Sequence, residues 1–283
     1  MEKYIPYTVE EYKTDKITEV VHNLICEEPL SIMVQGKPYS VVMRTPGDEI
    51  PHAAGFCLGE GIIDKYGDIS SIAICEGSDS NVVAVTLKQD RLKNISAILE
   101  RKGFVSQTSC GICGKEIIED IKQSVIPLES KFKIHPDKLI KCLTQFYEHQ
   151  NLRNNTRSAH GAALFNLNDE LLSIAEDVGR HNAVDKAIGK LLIQENIYDA
   201  SILILSSRIS FELVQKAARA KIPLILAISR PTALAIKLAD DVNMTILTLL
   251  KEPGFCIYTG KDRINIFSPS GRNSDDIVEQ ASH

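Results

Sequence analysis

Three apolar runs in the second half of the chain alternate with two helical patterns, and this alternation constrains the fold more than any other feature. The runs cover residues 201–206, 222–228 and 244–250 and have the composition of fully buried strands. The helical patterns between them cover residues 210–220 and 231–240, with short links. A strand–helix–strand–helix–strand order of this kind predicts a parallel sheet flanked by helices.

Elements in a different order precede this region. A helix is predicted over residues 139–150, a hairpin over residues 162–167 and 171–175, and a further helix over residues 183–192. Nearer the N-terminus the patterns predict a hairpin, a helix, two strands and a helix, over residues 30–43, 52–60, 69–75, 81–87 and 91–102. Residues 1–20 are polar, and we expect them to form a loosely held arm.

The stretch from Val125 to Lys138 separates the two kinds of pattern. It contains Pro127 and Pro136 and shows little periodicity, which is typical of a boundary between domains. We therefore expect a smaller α+β domain over residues 1–127 and an α/β domain over residues 128–283.

The composition excludes several classes of protein. Hydrophobic residues make up 44% of the chain and charged residues 24%, as in soluble globular proteins. A formal net charge of −5 and the absence of Trp give no support for nucleic-acid binding. No apolar run approaches the roughly 20 residues that cross a bilayer. The seven cysteines show no disulfide-like framework, so we expect a cytoplasmic protein without membrane or nucleic-acid partners.

The segment Ser109-Cys110-Gly111-Ile112-Cys113-Gly114 places two thiols two residues apart, each followed by glycine. Glycine lets a large partner approach the sulfur atoms closely. Lys115 favours the nucleophilic thiolate form of cysteine, and so does the N-terminal end of the helix predicted to follow. These features indicate a loop that carries reactive sulfur.

Three other kinds of site or protein contain a CxxC motif. A structural zinc site needs four ligands, but the remaining cysteines stand singly, mostly among apolar residues. A thioredoxin-like motif normally follows the first strand of a compact βαβ unit, whereas this one lies more than a third of the way along the chain. A zinc deaminase is excluded, because Ser109 precedes Cys110 where its signature has proline, and no His has Glu two residues later.

Polar segments follow the predicted strands at their carboxyl ends, where parallel sheets bind ligands. They cover residues 176–182, 206–210, 229–232 and 251–254. Three of them lead into helix N-termini, which bind phosphate, and Arg180, Arg208 and Arg230 add phosphate donors. Alternatively, Asn182 and Ser210 are ordinary helix caps and the arginines form structural ion pairs. Three arginine-bearing loops at one edge favour a nucleotide or multi-phosphate ligand in a shared pocket.

Two histidines lie in or beside these segments. His160 follows a polar stretch, and His181 lies in a loop of acidic and basic residues. Either could be a hydrogen-bonded structural residue, and either could protonate a leaving sulfur atom. The surrounding loop favours a role in the site for His181.

Taken together, these motifs resemble those of the FdhD family, the sulfurtransferase accessory proteins of formate dehydrogenase. The matching segments span nearly the whole chain: residues 28–30, 43–48, 59–63, 109–115, 176–186, 207–208, 210–216, 229, 231–232 and 258–259. Arg157, Ser158 and Arg230 depart from the family pattern, all at the presumed ligand edge.

The resemblance implies a three-layer, cytidine-deaminase-like α/β domain, a smaller N-terminal α+β domain and a homodimer. It also implies a sulfurtransferase with a cysteine persulfide intermediate. A cysteine desulfurase would donate the sulfur, which would pass to the molybdenum bis(molybdopterin guanine dinucleotide) cofactor as bound acceptor substrate and render formate dehydrogenase active. No structural metal is expected. The alternative is a chaperone that binds the cofactor without transferring sulfur.

The resemblance also implies roles for individual residues. The persulfide cysteine of the family falls on Cys110, and Cys113 is expected to attack that persulfide, releasing sulfide. The cofactor loop of the family falls on Leu249, Leu250, Lys251, Glu252, Pro253 and Gly254. Together with Arg180, His181 and Arg208, this loop is the expected cofactor-binding set.

Overall fold

The structure of the protein, a computed structural model, describes residues 2–75, 81–95, 127–129, 131–251 and 254–265. The described strands are β1 (Tyr4–Lys13), β2 (Lys16–Ile25), β3 (Glu28–Val34), β4 (Lys37–Arg44), β5 (Ile69–Ile74), β6 (Val82–Leu87), β7 (His160–Phe165), β8 (Leu171–Asp177), β9 (Ile202–Leu205), β10 (Leu224–Ala227), β11 (Thr245–Leu249) and β12 (Phe255–Thr259). The described α-helices are α1 (Glu49–Gly59), α2 (Gln89–Asn94), α3 (Pro136–Glu148), α4 (Asn151–Thr156), α5 (Arg180–Ile193), α6 (Phe211–Arg219) and α7 (Ala233–Asp241). None of these helices has the length and apolar character that a membrane crossing requires.

Six strands form one mixed sheet in the order β12-β11-β10-β9-β7-β8. Its strands β9, β10 and β11 are parallel to one another, which confirms the parallel arrangement predicted for the alternating segment. β7 is antiparallel to both β8 and β9, and β12 is antiparallel to β11. Short links explain the β7–β8 and β11–β12 pairings, because a parallel neighbour needs a long crossover.

Helices cover the two faces of this sheet. Leu203 and Leu205 share a core with α5, α6 and α7, whereas the alternating residues Ile202 and Ile204 share a second core with α3. The buried runs are apolar at every position because both faces of the strands are covered. A mixed α/β fold is therefore confirmed, whereas its assignment to the cytidine-deaminase type stays a prediction.

A smaller sheet has the strand order β4-β3-β6-β5 and contains the predicted β3–β4 hairpin. Its buried residues, such as Leu30 and Ile32, belong to the same core as Ala183 and Ala187 of α5. Helix α1 contributes Ala53 and its neighbours to that core. The two parts of the chain thus share one hydrophobic core, and the domain boundary between residues 127 and 128 stays a prediction.

Helices α1 and α5 cross in backbone contact. A Cβ atom added to Gly55 would lie 1.9 Å from the carbonyl oxygen of Asp185, and one added to Gly189 would lie 1.8 Å from that of Pro51. Both distances are far below van der Waals contact. The crossing therefore requires glycine on each helix, and it holds the N-terminal part of the chain against the C-terminal part.

We expect the substitution Gly189→Ala to lower the free energy of unfolding by about 3 kcal/mol or more, since the added methyl group meets backbone that no rotamer change can move. Urea unfolding followed by circular dichroism measures this change. Gly67→Ala is the matched control, because its added Cβ would meet nothing closer than the Lys65 side chain at 3.9 Å. Equal stability of the two variants would contradict the close crossing.

The N-terminus forms a two-stranded antiparallel ribbon, so the loosely held arm predicted for residues 1–20 is wrong. β1 and β2 pair along all ten residues of each strand. Thr14 and Asp15 form the two-residue turn with φ of 47° and 61°, a geometry that suits the twist of a hairpin. Tyr12 and Ile17 are 68% and 65% exposed. The polar composition misled the prediction, because a ribbon exposed on both faces needs no continuous apolar face.

Candidate functional site

The predicted polar segments lie at one edge of the six-stranded sheet. The parallel strands β9, β10 and β11 all end there, and β8 ends there too because it lies two antiparallel steps from β9. Three of the segments lead into α5, α6 and α7, as the sequence predicts. The edge therefore combines strand ends with helix N-termini, the usual place for a ligand in such folds.

The structure tests the alternative interpretation of Asn182 and Ser210, namely that they are ordinary helix N-caps. Ser210 occupies the N-cap position of α6 but makes no capping hydrogen bond with its side chain. Asn182 lies inside α5, which begins after Gly179, and its amide donates to the Met43 carbonyl at 2.7 Å and to Asp177 Oδ1 at 2.9 Å. Neither side chain caps its helix.

A cavity of about 420 Å³ opens beside the start of α5. One wall is apolar and consists of Val41, Met43 and Phe56. A charged wall is formed by α5, α6 and the residue after α1; it includes Glu60, Arg180, His181, Asp185, Glu212 and Lys216. The cavity therefore lies between the first and second halves of the chain, and it suits a ligand with both apolar and polar parts.

Lys216 is the centre of the charged wall. Its Nζ lies 2.8 Å from Asp185 Oδ1, 3.9 Å from Glu60 Oε1 and 5.5 Å from the centre of the Phe56 ring. Burial opposes the charged form of Lys216, but Asp185 and Glu60 outweigh it and raise the pKa of Lys216. Burial raises the pKa of both Asp185 and Glu60, although Lys216 opposes this shift. The wall thus contains carboxyl groups that hold protons more tightly than usual.

His181 and Glu212 form a hydrogen-bonded pair in the same wall. His181 Nε2 lies 2.9 Å from Glu212 Oε2 and 3.4 Å from Ser210 Oγ. Burial would raise the pKa of Glu212, but the hydrogen bond and charge of His181, with Lys216, lower it. Glu212 is therefore a carboxylate that accepts a hydrogen bond from the imidazole ring.

A second ion pair anchors the segment that carries Arg180 and His181. Lys186 Nζ lies 2.6 Å from Asp177 Oδ2 and donates to the Thr45 carbonyl at 2.6 Å. Asp177 also accepts from the backbone N–H of Thr45 at 3.1 Å, while the Thr45 hydroxyl accepts from the N–H of Val178. Asp177 and Lys186 are almost fully buried. The segments 43–48 and 176–186, distant in sequence, are thus joined beside the cavity.

Two buried nitrogen atoms at this edge have no hydrogen-bond partner among the described residues. They are Arg180 Nε and His160 Nδ1. Burial lowers the pKa of His160, and the charges of Arg180 and Arg153 lower it further. His160 thus favours its neutral form. An unsatisfied guanidinium nitrogen beside a cavity fits a site that accepts an anionic ligand.

Most other predicted site residues lie apart from the cavity. Arg208 is exposed in the loop after β9, Leu249 is the last residue of β11, and Leu250 and Lys251 follow it at the same edge of the sheet. Gly254 ends that loop with a φ of 145°, a backbone conformation that favours glycine. None of these described residues lines the cavity. The remaining predicted site residues, Cys110, Cys113, Glu252 and Pro253, lie outside the described residues.

Sequence reasoning assigned no role to Glu60, Asp185, Glu212 or Lys216, although all four lie in the quoted motifs. A signal was available for two of them. Glu212 and Lys216 are four residues apart in a predicted helix and therefore share a face. Glu60 and Asp185 lie near Glu212 and Lys216 only because α1 and α5 cross, and no local sequence pattern reveals that crossing.

No group of three or more His, Cys, Asp or Glu side chains within the described ranges is placed to hold a metal ion. The described cysteines are all free thiols, among them the fully buried Cys57 and Cys142. Burial raises the pKa of Cys142 to about 12, so it is an inert core residue. The zinc interpretation of the CxxC motif concerns residues outside the described ranges and stays untested.

Comparisons with known proteins agree across most of the chain. A family model described as the FdhD/NarQ family matches residues 25–265. The sulfur carrier protein FdhD of Streptomyces coelicolor is 36% identical over 260 residues, which cover 88% of this chain and 91% of that protein. The protein of the same name from Sulfolobus acidocaldarius is 37% identical over 241 residues, covering 85% and 90%. The one from Mycobacterium tuberculosis is 36% identical over 268 residues, covering 90% and 96%.

A solved structure is similar in fold. It is the crystal structure of a putative formate dehydrogenase accessory protein from Desulfotalea psychrophila, with a TM-score of 0.75 and 23% identity. The match covers 93% of this chain and 100% of that one. At this level of identity the likeness concerns the arrangement of helices and strands.

Proposed function

The chain belongs to the FdhD/NarQ family, and from this premise we propose that it carries sulfur in the maturation of formate dehydrogenase. One observation carries the proposal: relatives named sulfur carrier protein FdhD share 35–38% identity with this chain over more than four fifths of its length. The family match, residues 25–265, includes the CxxC segment with Cys110 and Cys113. That segment has the chemistry that a sulfur carrier requires.

The first step loads the carrier. The Cys110 thiolate attacks the terminal sulfur atom of a persulfide on a cysteine desulfurase. The sulfur–sulfur bond of the desulfurase breaks, its cysteine leaves as a thiolate, and a persulfide forms on Cys110. Sulfur moves from one thiolate to another, so the step needs no added oxidant or reductant.

The second step delivers the sulfur. The Cys113 thiolate attacks the Cys110 sulfur atom that bears the extra sulfur, a disulfide forms, and hydrosulfide leaves. The two cysteines lose two electrons and the transferred sulfur gains them. A dithiol reductant then restores the cysteines for another cycle. The acceptor substrate is the molybdenum bis(molybdopterin guanine dinucleotide) cofactor that formate dehydrogenase uses.

The sheet edge is the proposed binding place for this acceptor. Arg180 and His181 lie at the start of α5, where the Arg180 guanidinium and the free backbone N–H groups can bind phosphate, and the unpartnered Arg180 Nε supports this role. Arg208 and the segment 249–254 complete the proposed set, and its described residues lie at the same edge. A homodimer, a cytoplasmic location and direct contact with the desulfurase and formate dehydrogenase complete the proposal.

Incubation of the protein with a cysteine desulfurase and cysteine, followed by mass spectrometry, tests the loading step. We expect one added sulfur atom on the peptide that contains Cys110. In Cys113→Ala the persulfide should still form but should be released more slowly, because no neighbouring thiolate attacks it. In Cys110→Ala no stable adduct should appear on this peptide. Sulfur found on Cys113 while Cys110 is intact would reverse the two roles but keep the sulfur-carrier function.

A further inference from the structure

The pairing of His181 with Glu212 has a specific geometry. His181 lies in the first turn of α5 and Glu212 in the first turn of α6. The starts of the two helices therefore meet within the charged wall. Only Nε2 of the ring is engaged, at 2.9 Å from Glu212 Oε2 and 3.4 Å from Ser210 Oγ. No described residue forms a hydrogen bond or ion pair with Nδ1. The ring is therefore held at one nitrogen and open at the other.

This geometry fixes the tautomer of the ring. Glu212 is ionised, and a carboxylate can only accept hydrogen bonds. Nε2 must therefore carry hydrogen, which places the lone pair of the neutral imidazole on Nδ1. Any further proton that the ring takes up must then reside on Nδ1.

The groups around the His181 ring include one more carboxyl group than permanent cations. The groups that face it are Glu212 and Lys216 from α6, Arg180 and Asp185 from α5, Glu60 after α1, and His160 from β7. Three carboxyl groups stand against two permanent cations, because His160 favours its neutral form. The wall is neutral only when one proton is added, either to His181 or to one of the buried acids.

We infer that Glu212 is a positioning residue that holds His181 through Nε2, so that Nδ1 exchanges a proton with an anionic group of the ligand in the cavity. The inference rests on the proposed function only for the identity of that ligand. The step is a simple proton transfer. The imidazolium gives its Nδ1 proton to an anionic oxygen or sulfur atom of the ligand and becomes the neutral Nε2–H tautomer.

The test uses the full-length protein with ¹⁵N-labelled histidine, and His181→Gln identifies the resonances of His181. We expect the neutral ring to show hydrogen on Nε2. In Glu212→Gln the neutral ring should populate the Nδ1–H tautomer as well, because an amide can either accept a hydrogen bond from Nε2 or donate one to it. Glu212→Asp keeps a carboxylate and should keep hydrogen on Nε2. Glu170→Gln, in the exposed turn before β8, is the matched control and should leave the tautomer unchanged.

Formate dehydrogenase activation tests whether this proton is used. Activation should fall in His181→Gln and in Glu212→Gln and should stay close to that of the unmodified protein in Glu212→Asp, because only the first two lose the fixed Nδ1 site. An Nδ1–H tautomer in the unmodified protein, or a tautomer that Glu212→Gln leaves unchanged, overturns the positioning role. A changed tautomer with unchanged activation overturns the proton exchange. In both cases sulfur loading on Cys110 still reports separately on the proposed function.

Discussion

Cells or extracts that depend on the Cys110→Ala variant are expected to contain formate dehydrogenase at no more than the activity seen without the protein. The reason is chemical: without the thiolate at position 110, no group on the loop can take the sulfane sulfur from the desulfurase in the form that Cys113 then displaces. The measurement is formate oxidation after co-expression or after reconstitution with purified components.

This result separates a sulfur carrier from a chaperone that only binds the cofactor. Both functions need the cationic sheet edge with Arg180 and Arg208, but only the carrier needs the thiol. Cofactor binding by Cys110→Ala should therefore survive, which a pull-down with quantification of bound guanine nucleotide can measure. Cys75→Ala removes an exposed cysteine of the small sheet's edge and serves as the control. Full activation by Cys110→Ala would favour the chaperone.

Most helices and strands of the second half were predictable because each is a local pattern, although α4 and β12 were not predicted. The runs that became β9, β10 and β11 are apolar throughout, which only strands covered on both faces need to be. The helices between them have one apolar face each and begin within two residues of the predicted starts. The order and the parallel direction of these strands follow from the handedness and length of the helical connections between them. The antiparallel edge strands follow from short turns, which is again local information.

The candidate cavity was not predictable in the same way. Its apolar wall comes from the edge strand β4 and from Phe56 of α1, and most of its charged wall comes from α5 and α6, more than 130 residues after β4 in the chain. These walls meet because Gly55 and Gly189 allow α1 and α5 to touch, and because Thr45 bonds with Asp177. A resemblance to family motifs marked most of these residues. It could not say which of them share a cavity, because that depends on contacts between distant segments.

The buried ion pair of Asp177 and Lys186 is the place where one substitution should cost the fold most. Lys186→Met removes the only cation within ion-pair distance of Asp177 in the described part of the chain and leaves a carboxylate with no exposed surface. Breaking a buried pair in this way typically costs about 3–5 kcal/mol, because the remaining charge keeps its desolvation penalty. We therefore expect Lys186→Met to lower the free energy of unfolding by about that amount.

Lys190 supplies a matched control one turn further along α5. Like Lys186, it pairs with one carboxylate, Asp48 at 2.9 Å, and donates to one backbone carbonyl, that of Ile174 at 3.0 Å. Unlike that of Lys186, its side chain is 31% exposed, so Lys190→Met should lower the free energy of unfolding by less than about 1 kcal/mol.

The double variant Asp177→Asn/Lys186→Met should recover part of the stability lost in Lys186→Met, since it removes the buried charge. Urea unfolding followed by circular dichroism measures the free energies of unfolding of the three variants and of the unmodified protein. Similar losses in the two single variants would mean that burial of the Asp177–Lys186 pair does not increase its contribution to the free energy of unfolding. The link between residues 43–48 and 176–186 would then need another explanation.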